Sequence, residues 1–114
     1  MKIISPKVHA ILDYAVALFL IIAPNFINLS AFAATFSMAL GAVHFLLSIL
    51  TIFKGGAFKL VPFHIHGYIE LIVSLSLGVL AFTIFGKNMM DHFYFASLAL
   101  AILIVFLLTD YKAK

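Results

Sequence analysis

The chain has 114 residues, of which 66% are apolar and only 10% charged, and its mean hydropathy is +1.26. Such values exclude a water-soluble domain and leave an integral membrane protein, with no room for a second, soluble domain beside it. Cysteine is absent, which excludes disulfides, thiolate metal sites and redox thiols, and all seven basic residues are lysines. Lysines flanking apolar segments belong beside lipid headgroups, so the sequence pI near 9.3 is no nucleic-acid footprint.

Four apolar runs, near 7–26, 31–53, 63–85 and 92–110, are each long enough for a helix that crosses a hydrocarbon core of about 30 Å. Ser5-Pro6 places a capping hydroxyl before a first-turn proline, and Ser30 precedes the second run. Pro62 opens the third run and Asp91 precedes the fourth, while Pro24-Asn25 ends or kinks the first. The connections at 27–30 and 86–91 are short, so the spans form two helical hairpins. The expected fold is all-α: a single transmembrane domain over 1–114, with four helices arranged as two parallel two-helix repeats, about 5–53 and 62–112, joined by a linker at 54–61.

Sliding the chain along itself until His9 meets His66 also brings Asp13 onto Glu70, Leu18 onto Leu75 and Leu20 onto Leu77. A one-residue insertion then aligns Leu40 with Leu98, Thr51 with Thr109 and Phe53 with Tyr111. Cytoplasmic flanks are enriched in lysine, and Lys2, Lys7, Lys54, Lys59, Lys112 and Lys114 fall on one side of this arrangement, with Lys87 alone on the other. Both termini are therefore expected to be cytoplasmic, and each hairpin to leave and return on that side, which makes the repeats parallel rather than inverted. Lys2, Lys7 and Ala31-Phe32-Ala33 loosely resemble a cleavable secretory signal. Cleavage there would remove the counterpart of the third span, and Asp13 interrupts the apolar region, so the first helix is expected to remain.

Residues four apart share a helix face, so His9 with Asp13, and His66 with Glu70, form two polar patches in a chain that is otherwise nearly all hydrocarbon. The second patch continues through Ser74 to Gly78, and the second span carries a seam of Ser37, Gly41, His44, Ser48 and Thr51. Seams of small and polar residues mark helix contact in membranes, so Ser37, Gly41, Ser48 and Gly78 are assigned to packing and both stripes to the interior. A rise of about 1.5 Å per residue puts Asp13 and Glu70 roughly 9–11 Å inside their helix starts and His44 about 13 Å inside its end, in one layer. Ionisable groups at that depth are costly and need a reason. His9, Asp13, His44, His66, Glu70 and Ser74 are thus an intramembrane polar cluster, either a hydrogen-bonded register pin or a proton- or cation-handling centre.

Haem b between helices, with His44 facing His66 or His9, is a further alternative; otherwise no cofactor, catalytic residue or metal site is assigned. Met89-Met90-Asp91-His92 is read as a loop and cap rather than a copper site, because four adjacent residues do not converge on one ion. Tyr14, Tyr68, Tyr94 and Tyr111 sit near helix ends, where aromatic rings favour the membrane interface. Hydrolase, nucleotide-binding and dehydrogenase motifs are absent.

The segments His9-Ala10-Ile11-Leu12-Asp13-Tyr14, Ala23-Pro24-Asn25 and Thr51-Ile52-Phe53, then His66-Gly67-Tyr68-Ile69-Glu70, Leu80-Ala81-Phe82 and Thr109-Asp110-Tyr111, resemble the repeat of the small bacterial SPW-repeat membrane proteins. That repeat starts His-x-x-x-Asp, turns at Ser-Pro-Trp and ends near Thr-Asp-Tyr; the turn tripeptide is altered in both halves of this chain, which has no tryptophan. The resemblance implies two two-span repeats and brings no activity. The functional expectation is a small non-enzymatic protein of the bacterial cytoplasmic membrane, structural or accessory, in contact with lipid and with a second copy or a larger membrane complex. The alternatives are a proton- or cation-linked transport component and a haem-binding redox protein.

Overall fold

The computed structural model describes residues 2–51 and 56–112, so Ile52, Phe53, Lys54 and Lys114 lie outside the described residues. Among these residues the chain is all-helical: α1 (Pro6–Ile22), a 3-10 turn (Ala23–Asn25), α2 (Ala31–Leu50), α3 (Phe63–Phe82) and α4 (Met89–Leu108). Each of the four, α1 together with its 3-10 turn, is long and apolar enough to cross a membrane.

The helix starts follow local chemistry. The Val8 N–H donates to Ser5 Oγ at 3.3 Å ahead of Pro6, and the Ala33 N–H donates to Ser30 Oγ at 3.2 Å. Pro62 precedes α3 without a side-chain cap. At α4 the expectation fails: Asn88, not Asp91, is the cap, taking the Asp91 N–H on its side chain at 3.1 Å. The Asp91 carboxylate instead reaches the other hairpin, accepting from the Ser30 N–H at 2.9 Å and its hydroxyl at 2.6 Å, so the start of α4 anchors the start of α2. Met89-Met90-Asp91-His92 is accordingly the first turn of a helix rather than a loop, and His92 Nδ1 donates to Ala81 O at 2.7 Å.

Both returning helices end at threonine, in extended conformation at Thr51 and Thr109. Each hydroxyl donates to the carbonyl four residues back, Thr51 to Leu47 O at 2.6 Å and Thr109 to Val105 O at 2.5 Å, which occupies acceptors in the last helical turn. The chain entering the other hairpin pairs there. The Ile4 N–H donates to Leu108 O at 2.9 Å and the Asp110 N–H to Ile4 O at 2.9 Å, while the Val61 N–H donates to Leu50 O at 2.7 Å. These bonds put the start of α1 beside the end of α4, and the start of α3 beside the end of α2.

Within the bundle α1 packs along α2 and α3 along α4. Gly41 permits the first contact: a Cβ there would meet Ala17 O at 2.8 Å and Leu20 Cβ at 2.9 Å. Toward the hairpin turns an apolar core of Leu20, Ala33, Leu77, Phe85, Phe95, Leu98 and Ile102 joins all four helices, with Phe36 and Leu40 of α2 packed against it. The outward faces carry exposed Ile11, Leu18, Val43, Ile72, Val79 and Leu100, the surface expected where the solvent is lipid.

Gly78 departs from its assignment. A Cβ there would meet nothing within 4 Å, and the residue borders an open groove between α3 and α4, so no close backbone approach depends on it. The close approach in α3 is made at Gly67, where a Cβ would lie 2.6 Å from the ring of Tyr111.

Candidate functional site

Toward the end of the bundle that holds the termini, His9, Asp13, His66 and Glu70 are buried together. Their polar atoms form a closed ring. His9 Nε2 lies 2.7 Å from Glu70 Oε1, which lies 2.7 Å from His66 Nε2; His66 Nε2 lies 2.8 Å from Asp13 Oδ2, which lies 3.2 Å from His9 Nε2. One ligand atom from each residue falls within 4.8 Å of all the others. Nitrogen and oxygen thus alternate around a common point between α1 and α3.

The sequence pairs each histidine with the acid of its own helix, and those pairs are present. What it does not reveal is the crossing: the His9 ring is nearer Glu70 of α3 than Asp13 of α1, and His66 meets Asp13 almost as closely as Glu70.

The outer nitrogens are fixed by two residues that the spacing argument did not assign to the site. His9 Nδ1 lies 2.8 Å from Thr109 Oγ1, and His66 Nδ1 lies 2.6 Å from Thr51 Oγ1. Each threonine hydroxyl has one hydrogen, and that hydrogen is given to its own helix carbonyl. The oxygens can then only accept, so Nδ1 of both histidines carries a proton and donates it outward. Both Nε2 atoms are thereby turned toward the carboxylates. The alignment of Thr51 with Thr109 in the two halves was the available signal for this role.

Phe63 and Tyr111 close the site toward the termini. Their rings lie 5.2 and 5.7 Å from the His9 ring and 4.7 Å from each other. Tyr111 rests on Gly67 as a half-buried wall of the site; partial burial, with Glu70 nearby, raises its phenol above the ordinary tyrosine value. Tyr94 is buried, its hydroxyl 2.7 Å from Ser37 Oγ. Ser37 gives its own hydrogen to Leu20 O at 2.8 Å, which makes Tyr94 the donor and ties α1, α2 and α4 together.

Two members of the expected cluster sit apart from the ring. His44 approaches it from α2, with Nε2 3.6 Å from Asp13 Oδ1, and borders a cavity of about 40 Å³ shared with Glu70, Val16, Leu40, Val43 and Val73. By volume that cavity has room for a water or two. Ser74 does not join the ring at all: its hydroxyl donates to Ala99 O at 3.1 Å and bonds α3 to α4. Ser48 is buried in α2 and donates to His44 O at 3.0 Å within its own helix.

Haem does not fit here. The His9 and His66 rings stand 5.4 Å apart at 75°, and the space before each Nε2 is filled by carboxylate oxygens, which leaves no slot for a macrocycle between these two imidazoles. His44 and His66, at 6.4 Å and 54°, have Asp13 between their Nε2 atoms.

The molecule is therefore a bundle of four helices of membrane-spanning length, closed at one end by a buried centre of two histidines and two carboxylates. Comparison with protein-family models, curated proteins and solved structures returns no match for the chain.

Proposed function

We propose that this is a multi-pass protein of the bacterial cytoplasmic membrane, termini cytoplasmic, that holds exchangeable positive charge at its His–carboxylate centre as a proton- or cation-linked component. The observation that carries the reading is the closed ring of alternating Nε2 and carboxylate oxygens, with both Nδ1 atoms committed outward to threonine. Two carboxylates in such a site bring two negative charges, and an uncompensated charge at membrane depth is expensive. The centre balances them with two positive charges, as protons on the ring atoms or on His44, or as one divalent cation. The lysine distribution supports the orientation. The matching contacts of Ile4 with Thr109 and of Val61 with Thr51 support two repeats of one ancestral hairpin. Thr51 and Thr109 stand in the sequence where the SPW-repeat pattern ends, and on that resemblance we read the chain as a divergent relative of the family.

A structural or accessory subunit is the second reading, favoured by a separate observation. Apart from the contacts inside each helix, every bond of the ring and both threonine bonds join one hairpin to the other, so the centre also acts as a clamp. Infrared difference spectroscopy of the purified protein in lipid separates the two. Exchangeable charge gives a carboxyl band that changes across about pH 4–9 and disappears in Glu70→Gln. A spectrum without any carboxyl change over that range, in protein that also takes up no cation, would leave only the clamp.

A further inference from the structure

We infer that the centre is a binding site for one divalent first-row transition ion, of the Zn²⁺ type, held by His9 Nε2, His66 Nε2, Asp13 and Glu70; this rests on the charge-holding reading above and names its occupant. Three observations converge on it. The first is distance. The ring edges are 2.7, 2.7, 2.8 and 3.2 Å and the four ligand atoms all lie within 4.8 Å of one another; a near-square ring of that size has its centre about 2 Å from each corner, the length of a zinc–imidazole or zinc–carboxylate bond. Opening the ring by a few tenths of an ångström gives a tetrahedron at the same bond length.

The second is the tautomer. A histidine that binds a metal through Nε2 presents a bare lone pair there and gives its Nδ1 hydrogen to an outer acceptor, which orients the ring. Thr109 and Thr51 are those acceptors, and each is made acceptor-only by its bond to the carbonyl four residues back. The third is charge: one divalent ion neutralises Asp13 and Glu70 in a single step. The donor set decides the class of ion. Two imidazoles with two carboxylates suit zinc and its neighbours, whereas Ca²⁺ and Mg²⁺ take six or more oxygen ligands, which this site does not offer. His44 and the small cavity beside Glu70 lie on the α2 side of the ring, where a water or an incoming ion would meet it.

The test uses the full-length protein in detergent after chelator treatment, titrated separately with Zn²⁺, Co²⁺ and Mg²⁺. Expected are one Zn²⁺ per chain, a raised melting temperature, visible Co²⁺ absorption of a tetrahedral nitrogen–oxygen site, and no effect of Mg²⁺. Since the ion replaces the protons that balance the carboxylates, about two protons are released per Zn²⁺ in weak buffer. Asp13→Asn and Glu70→Gln, which preserve shape, should abolish binding, and Thr51→Val or Thr109→Val should weaken it about 10–100-fold through the loosened histidine. Binding that survives in both amide variants would overturn the site. Absence of Zn²⁺ binding by the folded wild type would overturn the metal. In that case a pH-dependent carboxyl band still upholds a proton-holding centre, and its absence removes that reading as well.

Discussion

Glu70→Ala is expected to destabilise the bundle by about 3–5 kcal/mol, the cost of removing one partner from a buried charged or strongly hydrogen-bonded set. Glu70 Oε1 is the carboxylate oxygen closest to His9 Nε2 and one of the two closest to His66 Nε2, so its loss takes from both buried imidazoles a partner that joins the two hairpins. Glu70→Gln should lose much less, because the amide keeps the volume and one acceptor. Reversible unfolding in mixed micelles measures both. Equal losses in the two variants would show that carboxylate charge, rather than filled space and one acceptor, holds the clamp.

Gly41→Leu is expected to cost about 1–3 kcal/mol by overpacking, while Gly78→Leu should stay within about 0.5 kcal/mol of the parent. The contrast follows from local space. At Gly41 even a methyl group meets the Ala17 carbonyl oxygen at 2.8 Å, and backbone on the facing helix has nowhere to move without separating α1 from α2. At Gly78 the first added carbon enters an open apolar groove. Thermal melts in one detergent compare the two directly. A larger loss at Gly78 than at Gly41 would mean that the α3–α4 groove is filled by something a leucine displaces.

The four helices were legible because length, hydropathy and caps are local. Ser5 and Ser30 act on residues three positions ahead, and the structure keeps those bonds. The four-residue spacing of each His–acid pair also fixed which face they share. It did not fix where that face points relative to the other hairpin, and so it missed the crossed contacts of His9 with Glu70 and of His66 with Asp13.

The stripe from His66 to Gly78 shows the limit in angular terms. With 3.6 residues per turn, each step of four rotates about 40° around the helix. Glu70 therefore stays with His66, Ser74 has turned to meet α4, and Gly78 has reached the outer groove. Gly67 carries no local signal, because its partner, Tyr111, arrives from the far end of the chain. An acid at a helix start suggests a cap at Asp91, but Asn88, three residues earlier, holds that position and frees the carboxylate for Ser30. Thr51 and Thr109 carry the most information about the centre and the least local signal. A threonine at a helix end is ordinary until its single hydrogen is traced to a carbonyl and its oxygen to a histidine.

The two threonine acceptors turn both Nε2 atoms toward the carboxylates and so make the centre a place for positive charge. Nitrogen-15 NMR of the histidine side chains in lipid, assigned by single His9→Gln and His66→Gln variants, tests it most directly. The account predicts that Nδ1 of both His9 and His66 carries a proton under all conditions in which the bundle is folded, with only the Nε2 signals responding to pH or to added Zn²⁺. A bare Nδ1 on either histidine, with the proton held on Nε2, would contradict it.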